Sequence, residues 1–125
     1  MKKLTRQRTA IEQVITQADR PLLPQEILEV AKKQVTDLGM ATVYRNLKTM
    51  LEDGNLCAVE LPGQNTRYEL ADLKHHHHFQ CLTCKQVFDI HSCLGDFASL
   101  APPGFEVESH EITLYGRCAA CKSKA

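Results

Sequence analysis

The sequence predicts an α+β protein built from two small domains. Three helical segments and then two short alternating segments fill its N-terminal half, while strand-like segments and two Cys-x-x-Cys motifs fill its C-terminal half. A chain of 125 residues is long enough for one ordinary domain or two small ones. We therefore place an N-terminal domain at residues 1–70, a hinge at 71–74 and a C-terminal domain at 75–125.

Apolar residues recur at helical spacing in three N-terminal segments. The first covers residues 5–18, with Thr5 in the position of an N-cap. Pro24 can open the second, which includes QEILEVAKK, and the third runs from about Ala41 to Asp53, where Gly54 can end it. The buried stripe of the third helix is predicted at Val43, Leu47, Met50 and Leu51, and its opposite face carries Thr42, Tyr44, Arg45 and Lys48.

Two alternating segments, LCAVEL and RYEL, lie on either side of the turn-like PGQN and predict a β-hairpin. Three short helices followed by a hairpin are the layout of a winged helix-turn-helix domain, whose third helix enters the major groove of DNA. The same pattern also fits a small α+β domain whose polar helix face is merely solvated. The residue pattern alone leaves both interpretations open.

Total charge indicates neither a nucleic-acid nor a membrane partner, since fifteen basic residues balance fifteen acidic ones. The positive charges of Lys2, Lys3, Arg6 and Arg8 precede the first acidic residue, Glu12, and predict a basic N-terminal arm. No apolar run approaches the roughly 20 residues of a membrane span. No signal peptide opens the chain, so we expect a cytoplasmic protein with reduced thiols.

The C-terminal half predicts a small three-stranded sheet with one crossing helix. The strand-like segments are HHHFQC, QVFDI and EITLYGRC, and the helix-like segment is SCLGDFASLA. A core built from about 50 residues is small, and modules of this size usually need a metal or a partner subunit.

Six cysteines in a reducing compartment indicate metal or redox chemistry rather than disulfides. The two-residue gap within each Cys-x-x-Cys motif lets both thiolates face one ion, and two such pairs complete a closed tetrahedral zinc site, formed by Cys81, Cys84, Cys118 and Cys121. The alternatives are redox dithiols or simply buried cysteines, but a thioredoxin-type site has a single motif in a βαβ setting. The remaining Cys57 and Cys93 are expected to be small buried hydrophobes more often than ligands.

Four consecutive histidines precede the first Cys-x-x-Cys motif. On an extended strand, His76 and His78 point to one side, while His75 and His77 point to the other. The strand can therefore serve one metal site on each face. Imidazoles suit Zn, Fe, Mn, Ni or Cu, and nearby carboxylates make a site harder. The alternative is a solvated polar loop.

Four motifs together resemble the ferric uptake regulator family of bacterial metal-dependent repressors: GMATVYRNL, RYEL, HHHHFQCLTC and HEITLYGRCAAC. The resemblance runs from LTRQR to Cys121. It implies an N-terminal winged helix-turn-helix domain that binds double-stranded operator DNA and a small C-terminal α/β dimerisation domain. In such a homodimer, metal at the domain junction sets the separation of the two DNA-binding domains.

The resemblance also implies three metal sites and a DNA-binding surface. The structural zinc site corresponds to Cys81, Cys84, Cys118 and Cys121. The hinge-side sensory site, for Zn or Fe(II)/Mn(II), corresponds to Glu69, His76, His78 and Asp89. The second site of the dimerisation domain corresponds to His75, His77, Asp96 and His110. DNA contacts are expected from Tyr44 and Arg45, from Thr42 and Lys48 on the same helix, and from Lys2 and Lys3 of the arm.

One position departs from the family pattern. Iron and peroxide sensors of the family usually have a histidine just before the second helix, where this chain has Leu22. Cys57 lies where zinc sensors of the family often supply a hinge ligand, whereas Asp89 resembles the aspartate of the peroxide sensors. We favour a zinc-responsive repressor, with an iron or peroxide sensor as the alternative. A zinc hydrolase is remote because no further catalytic constellation is legible, so we do not expect an enzyme.

Overall fold

The computed structural model describes residues 2–95 and 97–124, with the side chains of the first helix described from Arg6 onward. The chain forms two compact units, Met1–Leu73 and Lys74–Ala125. No helix in the described part of the chain combines the length and apolar character that a membrane span requires.

The N-terminal unit begins with three helices, α1 (Lys2–Ala18), α2 (Pro24–Ala31) and α3 (Met40–Glu52). The prediction of Thr5 as an N-cap was wrong, because α1 already begins at Lys2 and Thr5 lies inside it. The predicted basic arm, which begins at Lys2, therefore lies entirely within α1.

Local hydrogen bonds explain where α2 begins. Pro24 occupies its first turn, where a missing N–H costs nothing because the first helical N–H groups have no partner within the helix. The carboxylate of Glu26 accepts a hydrogen bond of 2.9 Å from the backbone N–H of Leu23. This bond satisfies one backbone donor at the helix start.

A glycine turn ends α3. Gly54 has a φ of +80°, in the left-handed region that glycine adopts without strain. In this conformation the chain turns so that the backbone N–H of Asn55 donates to the carbonyl of Met50 over 2.9 Å. The predicted glycine end of the third helix is therefore confirmed.

One apolar cluster holds the helices of this unit together. As predicted, α3 contributes Val43, Leu47 and Met50, each at most 1% exposed, whereas Leu51 is only partly buried against the cluster. The other buried members are Ala10, Ile11, Val14, Ile15, Leu22, Ile27, Ala31, Val35, Leu38 and Leu56. Because α3 buries only this stripe, its opposite face is left exposed to solvent.

The predicted hairpin is present as β1 (Leu56–Val59) and β2 (Arg67–Leu70), which pair antiparallel with Leu56 opposite Leu70. A third segment joins this sheet. Leu22 and Tyr68 exchange two backbone hydrogen bonds, Leu22 N–H to Tyr68 O at 3.0 Å and Tyr68 N–H to Leu22 O at 2.8 Å. The residue just before α2 is therefore attached to the hairpin.

The C-terminal unit contains the predicted three-stranded sheet: β3 (His77–Cys81), β4 (Val87–Ile90) and β5 (Thr113–Gly116). β3 is central, antiparallel to β4 and parallel to β5. A Cβ atom at Gly116 would lie 3.1 Å from the ring of Phe79, so glycine allows β5 to approach β3 closely.

The crossing helix predicted over SCLGDFASLA was wrong. Its described residues form only one 3₁₀ turn, Ala98–Leu100. Gly95 has a φ of +112°, which is incompatible with a right-handed helix. The unit instead ends in a short helix that sequence reasoning missed, α4 (Ala119–Ser123), which contains the last cysteine of the second Cys-x-x-Cys motif.

Candidate metal centres and the exposed face of α3

The structure brings the four cysteines of the two Cys-x-x-Cys motifs together. Their Sγ atoms all lie within 4.8 Å of one another, and those of Cys84 and Cys118 are 3.9 Å apart. Thiolates bound tetrahedrally to zinc at 2.3 Å lie about 3.8 Å from each other. We call Cys81, Cys84, Cys118 and Cys121 the thiolate centre; its donor set and spacing fit zinc.

Tight backbone turns shape each half of the thiolate centre. After the first motif, Lys85 has a φ of +68° and its N–H donates to the carbonyl of Cys81 over 2.9 Å. In the second motif, Cys118 is the N-cap of α4, and its carbonyl accepts from Lys122 N–H over 2.9 Å. A 2.7 Å bond from Leu82 N–H to Gly116 O joins the two halves.

Backbone donors favour negative charge at the innermost sulfur. The N–H groups of Cys84 and Cys118 each point at Sγ of Cys81 from 3.4 Å and lower the pKa of this thiol to about 5. Burial, together with the neighbouring thiols, raises the pKa of Cys121 to about 12. One thiolate is thus preformed, while a metal must displace a proton from another thiol.

A second group lies on one side of the histidine run and consists of His76, His78 and Asp89. Oδ1 of Asp89 lies 3.4 Å from Nε2 of His78 and 3.7 Å from Nε2 of His76, and the aspartate side chain is only 3% exposed. His78 and Asp89 are direct partners in the antiparallel pair of β3 and β4. We call these three residues the histidine–aspartate group.

The orientation of His76 suits metal binding. Its Nδ1 lies 2.7 Å from the carbonyl oxygen of Lys74, which can only accept a hydrogen bond. The ring therefore carries a proton on Nδ1, so in its neutral form the lone pair of Nε2 faces Asp89 and His78. Metal-binding histidines are commonly oriented by such a contact to the other ring nitrogen.

Glu69 and Cys57 belong to the N-terminal unit. They are direct partners in the antiparallel pair of β2 and β1, so their side chains extend from the same face of the hairpin. Glu69 is 5% exposed, whereas Cys57 is exposed, so the expectation of a buried Cys57 was wrong. That Glu69 and Cys57 are ligands of the sensory site stays a prediction.

Leu22 is 4% exposed and packs in the core.

A third group lies on the opposite side of the histidine run. Among the described residues it contains His75, His77 and His110, as predicted, together with Cys93. Sγ of Cys93 lies 3.2 Å from Nε2 of both His77 and His110, and Nε2 of His75 lies 3.1 Å from Nε2 of His110. We call this set the histidine–cysteine group. The predicted ligand Asp96 lies outside the described residues.

The alternation predicted for the histidine run is confirmed. The rings of His75 and His77 are 4.5 Å apart, and those of His76 and His78 are 5.0 Å apart. The expectation for Cys93 was wrong, since it is exposed and contacts two imidazoles. Cys93 lies in an irregular segment, where spacing along the chain does not tell which way a side chain points. The one sequence signal for its place in a donor group was therefore that it is a cysteine.

Burial keeps one imidazole of the histidine–cysteine group neutral. His77 is 3% exposed, and its loss of solvent, followed by the neighbouring rings of His75 and His110, lowers its pKa below the ordinary value. A neutral imidazole is the form that binds metal.

The face of α3 opposite the core is polar and basic. Tyr44, Arg45 and Lys48 are exposed, while Thr42 is half-buried and accepts a 3.1 Å hydrogen bond from the guanidinium of Arg45. This bond holds Arg45 along the helix surface. The side chains of Lys2 and Lys3 lie outside the described residues.

Arg8 of the predicted basic arm has intramolecular partners. Its guanidinium lies 2.9 Å from the carboxylate of Glu12 and 3.5 Å from that of Asp53, which raises its pKa, chiefly through the hydrogen bond with Glu12. These contacts join α1 to the end of α3. Arg8 therefore stabilises the unit in addition to contributing positive charge.

The sequence model of the ferric uptake regulator family matches residues 1–115. The chain belongs to this family. Members of this family are transcription regulators that bind metals, and they are not enzymes. The α+β fold predicted from the sequence is confirmed.

Similar proteins of this family bear names that refer to different signals. The ferric uptake regulation protein of Campylobacter jejuni is 28% identical over 127 residues, covering 98% of this chain and 81% of that protein. The solved structure of a Campylobacter jejuni peroxide stress regulator is 25% identical, with a TM-score of 0.70 over 95% of this chain and 91% of that one. FurB of M. tuberculosis, described as a zinc uptake regulator, is 28% identical, with a TM-score of 0.52 and coverage of 94% of each chain.

Proposed function

We propose that the protein is a metal-dependent DNA-binding transcriptional repressor that controls metal homeostasis and responds to zinc. The observation that carries this proposal is the presence of two kinds of donor group in one unit. A group of four thiolates suits a permanently bound zinc, whereas the histidine–aspartate group offers the mixed donors of an exchangeable first-row metal. One chain thus provides a stabilising centre and a sensing centre.

The thiolate centre has a structural role in this proposal. Four protein ligands fill the tetrahedral coordination of zinc and leave no open position for substrate or water. The centre connects the end of β3 to α4, so metal affinity contributes directly to the folding of this unit. A folded C-terminal unit would then form the homodimer.

The sensory site combines His76, His78 and Asp89, with Glu69 as the further ligand implied by family membership. These residues would bind metal only when held in the arrangement that favours DNA binding. Moving a population from 1:99 to 99:1 takes about 5.5 kcal/mol of differential affinity. If all of these ligands coordinate the metal in only one arrangement of the protein, the difference in metal affinity can reach that size.

Zinc is favoured as the sensory metal because Cys57 is placed beside Glu69. Both extend from one face of the hairpin, so a thiolate can join the carboxylate in the same coordination sphere. Thiolate ligands favour zinc over the harder Fe(II) and Mn(II). Leu22 contributes nothing to such a site, because it packs in the core.

An iron or peroxide sensor is the second candidate, and Asp89 favours it. The carboxylate is almost fully buried, and one of its oxygens faces two imidazoles. A site of carboxylates and imidazoles, with Cys57 outside it, accepts Fe(II) or Mn(II) readily.

A metal titration tests the function and separates these candidates. Protein that retains zinc in the thiolate centre is titrated anaerobically with Zn, Fe(II) or Mn(II), and binding to operator DNA selected from a random library is measured by fluorescence anisotropy. We expect zinc to be the most effective activator, and Cys57→Ser to lose the zinc response while keeping its structural zinc.

Unchanged titration of the Cys57→Ser protein would contradict the zinc-sensor proposal and favour iron or peroxide sensing. DNA binding that no metal affects would contradict the function as a whole. The matched control is Ala58→Ser, which changes the exposed neighbour of Cys57 on β1, whose side chain extends from the opposite face of the hairpin.

The exposed face of α3 is proposed to enter the major groove. Arg45→Ala is expected to weaken operator binding by about 1–3 kcal/mol if the guanidinium reads a base, and to lower the salt dependence if it contacts phosphate. Anisotropy titrations at several salt concentrations measure both effects. Lys33→Ala removes one exposed positive charge outside α3 and is the control. Equal operator affinity of Arg45→Ala and native protein would exclude this use of α3.

A further inference from the structure

We propose that Cys93 is a metal ligand, and that it forms with His75, His77 and His110 a tetrahedral site selective for zinc-like ions over Fe(II) and Mn(II). The family resemblance implies Asp96 as a ligand of this site, and Asp96 lies outside the described residues; among the described residues, the sulfur of Cys93 lies against two of the histidines. The proposal concerns a group separate from the thiolate centre and the histidine–aspartate group, and it does not depend on DNA binding.

The spacing of the donor atoms fits one small ion. The closest contacts of the group are 3.1 Å between two imidazole nitrogens and 3.2 Å between Sγ and each of two imidazole nitrogens. Ligands bound tetrahedrally to zinc at 2.0–2.3 Å lie about 3.3 to 3.6 Å apart. All four donor atoms lie within 4.8 Å of one another, so a small adjustment brings them to a single centre.

The chemistry of the donors determines which metal is preferred. Three imidazoles and one thiolate make a soft to borderline set that fills a tetrahedron without water. Fe(II) and Mn(II) prefer oxygen donors and higher coordination numbers, which the four described donors do not provide. A carboxylate in place of the sulfur would make the site more tolerant of both ions.

A turn at Gly95 and a ring contact with Phe97 hold two donors of the group, Cys93 and His110, in position. Sγ of Cys93 lies 3.5 Å from the backbone nitrogen of Gly95 and 3.7 Å from its carbonyl oxygen, so the turn at Gly95 holds the sulfur in place. The ring of Phe97 packs edge-on against that of His110, with centroids 4.7 Å apart. The group therefore joins β3 to two irregular segments, one after β4 and one before β5. Metal binding would hold together the part of the unit with the least regular structure.

His77 links the site to the backbone next to β5. Its Nδ1 accepts a 3.2 Å hydrogen bond from the N–H of Ile112, which places the ring proton on Nε2, beside Cys93. A metal bound to Nε2 requires the ring proton to move to Nδ1, which would then be a donor that faces the N–H donor of Ile112. The hydrogen bond must then be given up. The amide resonance of Ile112 is therefore a specific reporter of metal binding at His77.

Cobalt spectroscopy tests the proposal in the full-length protein. The background is Cys57→Ser with zinc retained in the thiolate centre, so that Cys93 is the one cysteine outside that centre. Titration with Co(II) is expected to produce a thiolate-to-cobalt charge-transfer band in the near ultraviolet. This band should disappear in the Cys57→Ser, Cys93→Ser double variant and persist in a Cys57→Ser, His76→Ala variant.

Two further readouts separate ligand loss from misfolding. Before metal is added, the circular dichroism of the double variant and the zinc content of its thiolate centre should match those of the background, because Cys93 is exposed and lies outside that centre. Its zinc affinity at this site should fall by more than about tenfold, since even changes outside the direct ligands cost 10- to 100-fold. The Ile112 amide should shift on metal addition in the background protein and not in the double variant.

Three outcomes would overturn the proposal. The first is the absence of a charge-transfer band at saturating Co(II), and the second is a band that remains when Cys93 is replaced. The third is an unchanged ratio of Mn(II) affinity to zinc affinity when Cys93→Asp is compared with the native protein. Because none of these measurements involves DNA, a failure here is distinguishable from a failure of the proposed regulatory function.

Discussion

Cys81→Ser is expected to remove zinc from the thiolate centre and to lower the unfolding midpoint of the C-terminal unit by more than about 10 °C. Cys81 is fully buried and receives backbone hydrogen bonds from Cys84 and Cys118, so its loss affects both halves of the centre. A unit of this size buries little apolar surface and depends on the metal for stability. Zinc analysis and thermal unfolding measure the effect, and dimerisation should be lost with the fold.

Cys57→Ser is the matched control, because it removes a cysteine outside the thiolate centre. This control should keep its structural zinc and its unfolding midpoint. A Cys81→Ser protein that is stable, dimeric and free of zinc would show that the centre is not structural. Acidification should also remove zinc and lower the stability of the unit, because protons compete with zinc for the thiolates as pH falls.

His76→Ala is expected to abolish metal-dependent DNA binding while the structural zinc stays in place. Its ring is held by the carbonyl of Lys74 with Nε2 facing the carboxylate of Asp89, so alanine removes an oriented ligand. Loss of a ligand should reduce metal affinity by at least about 10- to 100-fold, the range known for changes outside the direct ligands. Isothermal titration gives the affinity, and anisotropy with operator DNA gives the response.

His91→Ala is the control for this experiment. The ring of His91 lies 6.1 Å from that of His76, yet His91 is outside the three donor groups found among the described residues. The metal response of His91→Ala should equal that of the native protein. A normal response in His76→Ala would instead mean that regulation resides elsewhere, and the histidine–cysteine group would be the next site to examine.

The sequence alone predicts the features that depend on local periodicity. Helical spacing identifies Val43, Leu47 and Met50 as the buried stripe of α3, and the two-residue alternation of a strand divides the four histidines between two faces. The Cys-x-x-Cys spacing likewise lets two cysteine side chains face the same point before any long-range contact is considered. These outcomes follow from backbone geometry over a few residues.

Tertiary structure alone decides the features that depend on contacts between distant segments. Cys93 joins His77 and His110 because two irregular segments meet at β3, and no period in the sequence records that meeting. Leu22 pairs with Tyr68 for the same reason. Among the described residues of the helix expected over 92–101, only a 3₁₀ turn at Ala98–Leu100 forms, because the positive φ of Gly95 excludes a right-handed helix there. Where the backbone leaves regular structure, packing across the unit determines which side chains meet.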